Sequence, residues 1–216
     1  MALYNTYYYN ETIRKYVIAF GHIFTNIFVS RGDAITGELQ REVVPVTYSA
    51  KEKFVQRLNQ DYTDKQRIAL KLPRIGFEVI GYQYAPERKT STRYRVEGRD
   101  LDDNGLFAFQ YNPVPYDIDF DVSIITKSQE EGLQIIEQIL PFFAPDYVIS
   151  MKLSAVDSNR QDIAVSLLSV ASDDTFSGQF DDRRTIMWSL SFKLKGFVYG
   201  PPRTGKRILQ VITNTI

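Results

Sequence analysis

Residues 200–207 read GPPRTGKR, close to the phosphate-cradling loop G-x-x-x-x-G-K-[ST]. The hydroxyl that would ligate magnesium is replaced by Arg207. Pro201 and Pro202 also remove two of the backbone N–H donors such a loop turns toward phosphate. A basic terminal arm is the reading that remains, with Arg203, Lys206 and Arg207 as its cations. Residues 100–105, DLDDNG, place Asp100, Asp102, Asn104 and Gly105 at positions one, three, five and six of a calcium loop. Position twelve should be a bidentate glutamate and is Tyr111, so Asp100, Asp102 and Asn104 make a weak calcium candidate and a good Asp/Asn/Gly turn. His22, the only histidine, lies in an apolar helical pattern without a cysteine anywhere to serve as nucleophile. Asp117, Asp119 and Asp121 share one face of a strand, as paired carboxylates for acid–base work would. They also fall on the polar phase of an alternation, and a solvated face accounts for them. Asp181, Asp182, Arg183 and Arg184 form a polar turn whose charges are candidates for pairing with a neighbouring subunit. The sequon at Asn10 carries no weight without a secretory signal. These parts assemble no catalytic residues and call for no cofactor.

The elements that would position these residues are clearest between Gln110 and Tyr147. Tyr116, Ile118, Phe120, Val122 and Ile124 alternate with polar residues, as a half-buried strand requires. Ser128 then precedes Glu131 by three, the spacing of a capping box, and Leu133, Ile136, Ile139 and Leu140 follow in helical phase until Pro141. Upstream, Ile13, Val17, Phe20 and Phe24 predict a first helix from Asn10 as N-cap to about Thr25. A short strand is expected at residues 27–31, and a second over residues 42–48 with Pro45 as an edge or bulge. Ser49 and Glu52 predict another capped helix through Leu58, and a strand follows over residues 75–84. Residues 86–105 are polar and charged, and read as a mobile loop or an extended hairpin arm. Strands are expected again over residues 147–153, 162–170 and 185–195. Helices early and central, with strands between and after, indicate an α+β domain. Its sheet is mixed and mainly antiparallel, with the helices packed against it.

Composition narrows the class. Lys plus Arg equals Asp plus Glu at 26 each, so no global field favours nucleic acid or an acidic membrane. Zero cysteines exclude disulfides and thiolate-held metal. The start MALYNTYYYN has neither a basic region nor an apolar run, so no secretory signal is expected. The longest uncharged run, Tyr16 to Ser30, falls short of the about 20 apolar residues of a membrane span. Fourteen Tyr and fourteen Phe supply contact area at low rotamer cost. The dense aromatics Tyr4, Tyr7, Tyr8 and Tyr9 are expected at an interface.

The order NPVP, acidic alternating strand, turn and QIIEQILPFFAP resembles the tail-sheath stabilisers of T4-type contractile-tailed bacteriophages, also called tail completion or terminator proteins. FTNIFVSR (Phe24 to Arg31), VPVTYSAKEKF (Val44 to Phe54), LPRIGFEVIGYQYAP (Leu72 to Pro86) and RRTIMWSLSFKLKGFVY (Arg183 to Tyr199) extend the resemblance in the same order. It implies a tail-terminator-like α+β domain over residues 1–199 with a C-terminal arm at 200–216, shorter than the extension of the resembled proteins. It further implies a homohexameric ring on the head-proximal end of the tail. Implied partners are the tube terminator, the sheath and the neck or head-completion proteins, with no membrane and with DNA only in transit. The role is structural rather than enzymatic, in a virion assembled in the host cytoplasm. Such a ring needs head-to-tail contacts between unlike patches. Tyr4, Tyr7, Tyr8, Tyr9, Arg93, Arg95, Arg99, Arg183, Arg184, Arg203, Lys206 and Arg207 are the candidate contact residues. Two other readings compete: a calcium- or nucleotide-dependent enzyme of small ligands, and a neck or connector protein touching DNA through Arg93, Arg95 and Arg99.

Overall fold

Alternating apolar residues on β7 (Val114–Thr126) and β10 (Ile186–Val198) make the centre of the molecule. The two strands pair antiparallel over their whole lengths, from Ile186 against Thr126 to Val198 against Val114. The computed structural model describes residues 7–32, 39–53, 71–100, 106–154, 156, 159–174 and 185–207, apart from the side chains of 39, 99, 100 and 174. The remaining elements are α1 (Thr12–Ile23), β1 (Phe28–Gly32), β2 (Leu39–Val43), β3 (Val46–Tyr48), β4 (Arg74–Tyr84), β5 (Arg95–Asp100), β6 (Leu106–Tyr111), α2 (Gln129–Ile139), β8 (Asp146–Met151), β9 (Gln161–Asp174) and β11 (Arg203–Lys206). A six-stranded sheet runs β3-β4-β7-β10-β9-β8, antiparallel throughout except β3 beside β4. Two small sheets accompany it, β1-β2 and β11-β6-β5. This is an α+β fold with a mixed, mainly antiparallel sheet.

Helices α1 and α2 cover the apolar face of the large sheet. Phe20 stacks on Phe120 with ring centroids 4.0 Å apart and meets Phe24 and Phe192 edge-on at 5.3 and 5.5 Å. All four rings are fully buried. Tyr16 joins them, its hydroxyl donating to Phe197 O at 2.9 Å and accepting from Phe197 N at 2.7 Å. Burial pushes its phenol pKa well up, so it stays a neutral two-way hydrogen-bonding group. Helix α2 sits closer still. A Cβ on Gly132 would lie 2.3 Å from Trp188 Nε1, so only glycine lets the helix lie against the indole.

Two local readings change. Asn10 does not cap the first helix. Its side chain donates to Tyr199 O and Gly200 O, and the N-cap is Glu11 in the left-handed region at φ 55°. The long-range bonds tie the start of the chain to its end and win over the local cap. Residues 42–48 are two strands, because Pro45 has no N–H to continue a ladder. Val44 N donates back to Ile27 O, while Pro45 O accepts from Ile75 N, so the chain changes sheets there. Of the helix expected after Ser49, residues 51–53 are helical and the rest lies outside the described residues. By contrast, Ser128 caps α2 and accepts from Glu131 N at 3.3 Å.

Candidate assembly surfaces

The β11-β6-β5 sheet collects much of the charge that lies far apart in the sequence. Register places Arg95, Glu97, Phe107, Phe109, Tyr111 and Arg203 on one face. Guanidinium groups lie over the rings: Arg95 at 5.6 Å from Phe107 and 4.9 Å from Phe109, Arg207 at 4.8 Å from Phe107, and Arg203 at 5.3 Å from Tyr111. Glu97 bridges Arg95 and Arg207, each at 3.0 Å. Flat cations on aromatic faces keep N–H edges outward, ready for carboxylate or phosphate oxygens. On the opposite face Gln110 is fully buried, donating to Gly200 O at 2.5 Å and accepting from Ser154 Oγ at 3.0 Å.

The polar face of the large sheet is not the solvated one expected from its aspartates. Asp117 is mostly covered and paired with Arg88, whose guanidinium also lies 5.2 Å from the Phe197 ring. Asp119 faces Lys193 across the register, and one of its carboxylate oxygens is buried. Burial raises the Asp121 carboxyl above the usual range, an effect that Lys51 partly offsets. At the edge, Asp146 is held below its ordinary value by the Ser166 hydroxyl and by Lys195, 3.1 Å away. The alternation marked these residues as outward but could not show what folds over them.

A third feature had no sequence signal. Gln134 and Gln138, one turn apart on α2, reach the free side of β1 and imitate a strand. Ser30 N donates to Gln134 Oε1 at 2.9 Å and Phe28 N to Gln138 Oε1 at 3.1 Å, while Gln138 Nε2 donates back to Phe28 O at 2.7 Å. Nearby, Arg31 ties β1 to Glu131, Glu42 and Leu72 O at 2.8, 3.3 and 3.0 Å.

Of the candidate contact residues, Arg95, Arg203, Lys206 and Arg207 come together on the small sheet, with Arg93 exposed in the turn before it. Tyr7, Tyr8 and Tyr9 are exposed, Tyr7 at 92%. Tyr4, Arg183, Arg184, Asp102 and Asn104 lie outside the described residues, as do the side chains of Arg99 and Asp100. Within the expected arm, residues 203–206 form β11 on β6, and residues 208–216 lie outside the described residues. His22 sits in the last turn of α1. Among the described residues no three His, Cys, Asp or Glu side chains converge as a metal site. The groove beside α1 and α2, about 480 Å³, is lined mainly by apolar residues such as Phe24, Ile27, Ile139 and Phe142.

Fold and surfaces together define a class: an α+β protein whose distinctive chemistry is spread over sheet edges and a cation–aromatic face. The family model of the T4-like virus Myoviridae tail sheath stabiliser matches residues 7–216. The tail completion protein gp15 of Enterobacteria phage T4 is 32% identical over 204 residues, covering 90% of this chain and 73% of that protein. The chain belongs to the tail sheath stabiliser family, and its role is a structural one in the phage tail.

Proposed function

We propose that this protein forms a homohexameric ring that caps the head-proximal end of a contractile tail. The ring holds the sheath extended and presents the surface on which the neck of the filled head docks. The observation that carries the reading is the family match across residues 7–216. Supporting it, the small sheet gathers Arg95, Arg203 and Arg207 on aromatic supports. That is a preorganised cationic patch in a chain whose overall charge is zero. A neutral chain with a local basic face carries the complementary charge elsewhere on itself, as unlike patches in a head-to-tail ring require. The axial partners are the tube terminator, the sheath protein and the neck or head-completion proteins. DNA passes through the lumen without being bound there. The protein performs no catalysis and acts in the virion after assembly in the host cytoplasm.

Light scattering behind a sizing column tests the reading. A discrete species near six times 24.9 kDa, growing with concentration, is the expected result. A chain that stays monomeric at every concentration, and also in the presence of purified tail tubes and sheath, overturns it.

A further inference from the structure

The six-stranded sheet ends in steps. On one side, β3 covers only residues 75–77 of β4, and the outer edge of β4 is open over the rest of its length to Tyr84. On the other side, β8 covers β9 from Gln161 to Ser166, and the outer edge of β9 is open beyond Leu167. Both openings are stated of the described residues. Following the register across the sheet shows how the steps relate. Thr47 stands level with Gly76, Ser123, Ser189 and Ala171 in turn, so β3 lies at the height where β9 is open. Tyr147 stands level with Val165, Leu194, Ile118 and Tyr82, so β8 lies at the height where β4 is open. One end of the sheet lacks the half that the other end carries.

We propose that copies of this chain join by continuing this sheet, β3 of one copy filling the step at β9 of the next while β8 fills the step at β4. The proposal rests on the ring reading and names how its subunits meet. Strand directions agree with it. Rotation about an axis along the strands preserves direction, so β3 meets β9 antiparallel and β8 meets β4 parallel, both ordinary ladders. The side chains agree as well. On the core side of the sheet, exposed Tyr48 comes beside exposed Val170, and exposed Tyr82 beside Tyr147. Ile80, 65% exposed, and Leu168, 57% exposed, sit at the register shifts of β4 and β9, where each step begins. Open apolar edges are hazards that soluble proteins normally blunt. Among the described residues one edge is blunted, β1 being sealed by Gln134 and Gln138, while these two are left unsealed. An edge left open beside one deliberately closed is an edge with a partner, and the partner of matching outline is a second copy.

The chain has no cysteine, so paired substitutions give a clean test. Val46→Cys with Ser172→Cys, Thr47→Cys with Ala171→Cys, and Tyr48→Cys with Val170→Cys each place one thiol on either side of the junction. Within one chain the members of a pair are four strands apart, roughly 19 Å, too far for a disulfide. Oxidation of the assembled protein should convert most chains of at least one pair into a disulfide-linked ladder. Each single-cysteine variant should stay largely unlinked. An assembly of ring mass in which none of the three pairs crosslinks overturns the proposal and leaves the ring reading standing. A strict monomer without crosslinks overturns both. Should the paired variants fail to fold, Val170→Lys on the open edge serves instead. It should abolish assembly with thermal unfolding of the monomer unchanged, and assembly that persists overturns the proposal.

Discussion

The six-stranded sheet and the three-stranded sheet draw on the same aromatic residues and hold them in opposite ways. At the large sheet, Phe120 and Phe192 of its central strands pack with Phe20 and Phe24 of α1 and exclude water. In the small sheet, Phe107, Phe109 and Tyr111 are roofed by Arg95, Arg203 and Arg207. Apolar burial of the first kind decides whether the chain folds. A guanidinium roof contributes modestly to folding and keeps its charge at the surface, where another chain can use it. The difference teaches where to look for function: in the region whose interactions are weak for stability and specific in chemistry.

The largest test of that contrast is Phe120→Ala. Removing the ring stacked on Phe20 should cost about 3–5 kcal/mol, read as a lower midpoint in denaturant titration. Were the large sheet to tolerate it, the division between folding and contact regions would break. Arg95→Ala should act the other way around. Its Glu97 pair is half-exposed, so unfolding should change by less than about 1 kcal/mol. Assembly measured by sizing should weaken, and the wild-type assembly should become more sensitive to salt than the variant. A stability loss as large as that of Phe120→Ala would show the roof to be core. The smallest effect is expected at Asp121, where burial raises the folded pKa above the unfolded one. The native state then binds more protons than the unfolded state in the window between the two values, so stability falls as pH rises through it. Asp121→Asn should flatten this slope and raise the melting temperature slightly at neutral pH. Asp146, lowered by Ser166 and Lys195, has the opposite sign and loses stability as pH falls, which sharpens the comparison within one sheet.

Legibility followed the range of the interactions. The alternation of β7 and the Ser128 cap of α2 are set by neighbours a few residues away, and both were readable. Asn10 looked like a cap for the same local reason, yet its partners are Tyr199 and Gly200 at the far end of the chain. Pro45 announced an interruption without saying that the strand on either side would join different sheets. The basic residues of 93–95 and 203–207 were visible as charges, but their meeting required the pairing of β11 with β6. No residue pattern records a missing strand, so the stepped edges appear only when the register is followed through five strands.

Gly132 has a consequence beyond packing. By letting α2 rest against Trp188, it places the sole indole of the chain at the seam where this helix meets the centre of the sheet. Ultraviolet emission excited in the indole band therefore comes from a single address, and its colour reports whether water has reached that seam. The protein carries a built-in optical gauge of its own helix–sheet closure, with no label to attach and no second emitter to subtract.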